Sequence, residues 1–126
     1  MEEIKKIVRI GVSGSRTITD KDFVFQQLDF YLSRLLRDNE CIIVHGGAVG
    51  VDSLCELYAQ EKGIKTEIYL PDYKNNPSKI APILRNQTIT DNSDYFIAMQ
   101  QNKSRGTQDA INKAIKRGIP IKIITI

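Results

Sequence analysis

The 126-residue sequence predicts a three-layer α/β fold built on a five-stranded parallel sheet. Three observations lead there. Five short apolar runs alternate with stretches whose apolar residues recur at helical spacing, the mark of stacked βαβ units. Glycines and polar turn residues punctuate the boundaries between them. The length fits one domain over residues 1–126 and is enough to bury a core without a staple. With 41% hydrophobic and 26% charged residues, the composition excludes a disordered tail, a disulfide scaffold and a collagen-like fibre.

Taken in order, the first run is Ile7-Val8-Arg9-Ile10-Gly11-Val12, which empties into Ser13-Gly14-Ser15-Arg16. Thr19 with Asp22 three residues on resembles a capping box. Val24, Leu28, Tyr31, Leu32 and Leu35 then form one apolar helical face, which Asp38-Asn39 ends. The second run, Cys41-Ile42-Ile43-Val44, leads through His45-Gly46-Gly47-Ala48-Val49-Gly50 into a helix marked by Val51, Leu54, Cys55 and Tyr58. Lys62-Gly63 closes that helix, with Gly in a C′-like place. The third run is Thr66–Leu70, and Pro82 then opens a helix through Ile83, Leu84 and Ile89. Tyr95–Met99 is the fourth run, with Tyr95 expected in the core. A helix carrying Ala110, Ile111, Ala114 and Ile115 follows, and the chain closes on an apolar run from Ile119 to Ile126.

Right-handed crossovers between such strands favour the doubly wound order 3-2-1-4-5. Ligands in these sheets bind beyond the carboxyl ends of the strands, at the switch point between strands one and four. That directs attention to the loops after strands one, two and four. Gly14, Ser15 and Arg16 follow the first strand; a guanidinium suits phosphate because its fork donates two parallel hydrogen bonds. Gly46, Gly47 and Gly50 run from a strand into a helix, where small residues expose backbone N–H groups to an anion. No Lys-Ser or Lys-Thr follows, so triphosphate and magnesium chemistry has no support, and the spacing is not GxGxxG. Asp52, in the first helical turn, either caps the helix or serves the site, by holding the glycine loop or accepting from a ribose hydroxyl. Ser104, Arg105, Gly106 and Thr107 repeat the theme after strand four, and Asn86 beside Arg85 is a further candidate. His45, the only histidine, sits where it would touch ligand but carries no metal or triad pattern. No metal and no cofactor are expected.

These pieces, Gly14-Ser15-Arg16, Gly46-Gly47-x-x-Gly50-x-Asp52, Pro82-Ile83-x-Arg85-Asn86 and Lys103-Ser104-Arg105-Gly106-Thr107, occur in the order of the SLOG superfamily. That group joins DprA/Smf proteins with the LOG enzymes, and the chain resembles its small YspA/YpsA-related members. The resemblance implies a Rossmann-like fold that binds a nucleotide or nucleotide-derived ligand, such as a nucleoside monophosphate or an ADP-ribose type. LOG enzymes cleave the N-glycosidic bond of nucleoside monophosphates. Against their pattern, Arg85 matches an Arg and Asp109 falls near a Glu, while Asn86 stands for a Lys and Lys103-Ser104 for Pro-Gly-Gly. If the chain were such an enzyme, Arg85 and Asp109 would be its catalytic residues.

Three readings follow. A nucleotide-binding module comes first, a nucleotide N-ribohydrolase second, and single-stranded nucleic acid binding after DprA third. The third is unsupported by the net charge of +3 and the 7% aromatic content, and Arg34, Arg37, Lys113, Lys116 and Arg117 read as a solvated helix surface. No stretch is long and apolar enough to span a membrane, and Met1–Lys6, charged in both signs, does not read as a secretory signal. With Cys41 and Cys55 read as buried free thiols, a cytoplasmic setting is expected. The outer strands three and five present edges that a homodimer would cover.

Overall fold

The computed structural model describes residues 5–126. Most of the opening segment weighed above as a signal, residues 1–4, lies outside the described residues. Strand β1 (Ile7–Gly14) leads to α1 (Lys21–Asp38), β2 (Glu40–His45), α2 (Val51–Lys62) and β3 (Lys65–Ile68). The chain continues through α3 (Ala81–Asp91), β4 (Tyr95–Gln100), α4 (Arg105–Arg117) and β5 (Ile121–Thr125). All strand pairs are parallel and the order is β3-β2-β1-β4-β5, as the alternation predicts.

Alternation along each central strand divides the core into two layers. Val8, Ile10, Val12, Ile43, Ile97 and Met99 face α1 and α2, where they meet Val24, Leu28, Leu32, Cys55 and Tyr58. Val44, Phe96 and Ala98 point the other way, onto Ile89, Ala110, Ile111 and Ala114 of α3 and α4. Each fully buried Leu of the α1 stripe stabilises the fold by about 1.5–3 kcal/mol relative to exposure. Cys41 and Cys55 are buried free thiols, as expected.

The local corrections have simple causes. The α1 N-cap is Asp20 rather than Thr19, because the Asp20 carboxylate reaches the Phe23 amide at 3.1 Å. Strand β3 runs from Lys65 to Ile68, one residue earlier at its start and two at its end than expected, because its only partner, β2, stops at His45. Strand β5 begins at Ile121, since Pro120 has no N–H to give the ladder; its carbonyl accepts from Phe96. Tyr95 is not core: it opens β4 at the rim and is 38% exposed. Ile83, Leu84 and Ile115 are also exposed, so α3 and α4 bury narrower faces than their composition suggests. Gly63 does close α2 in the left-handed region, with φ +69°.

The cap assignment is testable by urea denaturation. Asp20→Ala is expected to cost about 1 kcal/mol, whereas Thr19→Ala stays within about 0.5 kcal/mol.

Candidate functional site

At the carboxyl ends of β1 and β4 lies a cavity of about 290 Å³. The β1–α1 loop contributes Gly14, Ser15, Arg16 and Thr17, and the β2–α2 segment contributes Ala48 and Asp52. Helix α3 closes one side with Pro82, Arg85, Asn86 and Ile89, and the β4–α4 segment the other with Gln101, Asn102, Ser104, Gly106 and Thr107. The three loops singled out from sequence therefore do converge, at the switch point.

The first and third loops are laced together. The Ser15 amide donates to the Met99 carbonyl at 3.0 Å, and Ser15 Oγ accepts from the Gln101 amide at 2.8 Å. The same hydroxyl lies 2.5 Å from Ser104 Oγ, and Thr17 Oγ1 donates to Gln101 Oε1 at 2.6 Å. Ser104 is the N-cap of α4, yet its hydroxyl makes no cap bond. The N-terminal turn of α4 is thus left open toward the cavity beside Gly106, with the partial positive charge of about half an elementary unit that a helix start carries. Just before it, Asn102 and Lys103 hold φ +55° and +50°, two consecutive left-handed residues without glycine. Such backbone strain clusters at functional sites.

The glycine loop behaves differently from its sequence reading. Its amides do not face a ligand; they are held from behind. Asp52 Oδ2 accepts from both the Gly46 and the Ala48 amide, each at 3.2 Å, and His45 Nδ1 accepts from the Gly47 amide at 3.0 Å. That contact makes Nδ1 the acceptor, so Nε2 carries the proton and donates to Glu56 Oε2 at 3.0 Å. Glu56 Oε1 in turn accepts from Thr66. His45 is therefore a fully buried brace that does not line this cavity, not the ligand contact expected. Asp52 holds the loop, the second of its two predicted roles, and it also lines the cavity. Burial pushes its carboxyl above the usual range, against the pull of the Ala48 and Gly46 amides and the Arg85 guanidinium. Its Oδ1 is buried without a partner among the described residues.

The glycines serve packing. A side chain at Gly46 would meet the Arg85 guanidinium, and one at Gly50, where φ is +83°, would fall 2.7 Å from Arg16 Cα. Gly14 leaves room for Val51. Arg85 Nη1 donates to the Gly46 carbonyl at 2.6 Å and more weakly to the Tyr69 carbonyl at 3.4 Å, while Nε donates to Asn86 Oδ1. Burial lowers its pKa, although an arginine retains its charge. Arg16 is exposed. Neither guanidinium is paired with a carboxylate among the described residues.

Asn86 Nδ2 donates to the Gly106 carbonyl at 3.2 Å and to Asp109 Oδ2 at 3.0 Å. Lys113, expected on a solvated face, instead reaches the same Asp109 oxygen at 2.7 Å and the Ile83 carbonyl at 2.6 Å. Asp109 is thus part of an α3–α4 clamp and does not line the cavity, and neither does the exposed Arg105. Thr17, Ala48, Gln101 and Asn102, which the sequence reading passed over, do line it. Thr17, Ala48 and Asn102 sit within two residues of a named site residue and Gln101 within three, which was the available signal.

Residues 8–75, more than half of the chain, match the family described as YspA, cpYpsA-related SLOG. The chain belongs to that SLOG family. A curated relative, the Gene 61 protein of Mycobacterium phage D29, is 29% identical over 119 residues, covering 90% of this chain and 93% of the relative. Among solved structures, DNA processing protein A of Helicobacter pylori, studied for its single-stranded DNA binding mode, superposes with a TM-score of 0.71 at 21% identity. That match covers 92% of this SLOG chain but only 64% of the DNA processing protein. The molybdenum cofactor carrier protein of Chlamydomonas reinhardtii gives a TM-score of 0.63 at 19% identity, covering 94% of this chain and 78% of the carrier. At these identities the structural matches establish the fold. Among the described residues no helix is long and apolar enough to cross a membrane.

Two outcomes test the bracing of the SLOG glycine loop. Asp52→Ala orphans two amides and is expected to lower stability by about 1–3 kcal/mol in urea titrations, while Asp52→Asn, which keeps an acceptor, costs less. For Glu56, burial pushes the pKa up, but the bonds from His45 and Thr66 outweigh it and hold it below 4.5. A lowered carboxylate pKa contributes stability that is present above 4.5 and lost as the pH falls through the native value. Glu56→Gln should therefore flatten the acid limb of urea midpoints measured from about pH 5 to pH 3.

Proposed function

We propose that this SLOG domain binds a small phosphorylated ligand of the nucleotide type, a nucleoside monophosphate or an ADP-ribose-like molecule, in the crevice at the carboxyl ends of β1 and β4. The observation that carries the reading is a pair of guanidiniums, Arg16 and Arg85, lining one cavity onto which the uncapped start of α4 opens. Arg85 is tied to carbonyl and amide oxygens rather than to a carboxylate, so its charge is oriented without being neutralised. The phosphate would lie among these two side chains, the Ser104 hydroxyl and the first amides of α4.

Binding without turnover is the form of the reading we favour. Glycosidic cleavage needs a carboxylate within reach of the sugar. The one near the LOG position, Asp109, has its Oδ2 held by Asn86 and Lys113 and stands outside the cavity wall. Asn86 also replaces the lysine of the LOG pattern. The cations that line the cavity form a local pair and not an extended groove, which suits a small anion better than a nucleic acid backbone.

Calorimetry with AMP and ADP-ribose tests this. Arg16→Ala, an exposed substitution, should weaken binding by roughly 10-fold or more and leave the ligand-free melting temperature unchanged. Chromatography should recover the nucleotide intact after incubation. Unchanged affinity in Arg16→Ala would overturn the site, and accumulation of free base would replace binding with hydrolysis.

A further inference from the structure

A second cavity, of about 400 Å³, adjoins the first across Arg16, Ala48 and Arg85, which line both. Its other walls are chemically distinct. Leu70, Pro71 and Tyr73 come from the β3–α3 loop, and Val49 faces them from the glycine loop. Val49, Leu70 and Tyr73 are 63%, 68% and 54% exposed, large apolar side chains gathered in one concavity. Single exposed apolar residues need no explanation, but a cluster of them beside a polar cavity marks a contact surface. The loop geometry fixes the arrangement: Gly47 has φ +68°, and its Cα lies so close to Leu70 that a Cβ would approach the leucine methyl at 2.7 Å. Apart from the two guanidiniums, the Tyr73 phenol is the only polar side-chain group on these walls, and no carboxylate is among them.

Resting on the nucleotide reading above, we propose that this second cavity receives the nucleobase, with Tyr73 as its stacking platform and Leu70 and Pro71 as the apolar floor. Three features favour a base over other apolar groups. The cavity shares the wall of Arg16, Ala48 and Arg85 with the first one, so a molecule anchored there by an anionic end can lay an apolar end against its other walls. An aromatic ring among apolar walls matches a planar π-face. The guanidiniums at the boundary donate only, which suits the acceptor-rich edges of a base. Phosphate and sugar then fill the first cavity, with its serine hydroxyls and Asn86, and the base crosses into the second. Tyr73 determines whether a base adds to the affinity, and the first cavity determines whether a phosphorylated sugar binds at all.

The experiment compares AMP with ribose 5-phosphate on the full chain. With the base stacked, AMP should bind roughly 5- to 100-fold more tightly than ribose 5-phosphate. Tyr73→Ala should remove most of that difference while leaving ribose 5-phosphate within about twofold, and Tyr73→Phe should restore it. Leu70→Ala gives a second variant at an exposed site and should reduce the same ratio. Equal affinity for the two probes in the parent protein, or Tyr73→Ala and Leu70→Ala shifting both probes alike, would overturn the base assignment and leave the first cavity standing. Failure of both probes to bind, or indifference of both to Arg16→Ala, would overturn the nucleotide reading and the base assignment with it.

Discussion

Three consecutive amides decide the shape of this site. Gly46, Gly47 and Ala48 leave the end of β2 with their N–H groups turned into the protein, onto Asp52 and His45. A glycine-rich strand-to-helix turn usually offers such groups to a ligand. Here they are satisfied internally, and the loop becomes a rigid wall rather than a cradle. The bracing runs deep: Glu56 fixes the His45 tautomer, Thr66 fixes Glu56, and Arg85 holds the Gly46 carbonyl from the other side. In the proposed site the anion falls instead to the start of α4, which has no side-chain cap, and to Arg16 and Arg85, which make no ion pair with a carboxylate among the described residues. The chain's net charge of +3 says little about this, because what matters is two charges held at one place with no ion-pair partner among the described residues.

The fold was legible because its physics is periodic. Strands buried on both faces read as apolar runs, helices as repeats near 3.6, and the parallel order follows from crossover handedness. What escaped was local competition. Asp20 outcompetes Thr19 as a cap by side-chain reach, and Pro120 trims β5 by lacking a donor. Tyr95 lies at a strand start and stays 38% exposed, which no periodicity encodes.

The site was half legible. Which loops meet follows from topology, so Ser15, Arg16, Arg85, Asn86, Ser104, Gly106 and Thr107 were within reach of the sequence. Which way a group points is a tertiary matter. Whether the amides after His45 look outward depends on a carboxylate in the first turn of α2, and the partial burial of Lys113 depends on how closely α3 and α4 pack. The Asn86–Asp109–Lys113 chain joins residues from two helices and cannot be seen from either alone.

The bonds from Ser15 to Gln101 and Ser104 link residues 86 and 89 positions apart. They are among the most non-local contacts of a fold whose central strand must pair with one neighbour from each half of the chain. Closing so long a loop carries an entropic cost before any contact rewards it, and such contacts slow folding. The cavity is therefore a seam that exists only once both halves have docked. A ligand seated across it ties the order of assembly to occupancy, because no partly folded chain presents both sides of the seam at once.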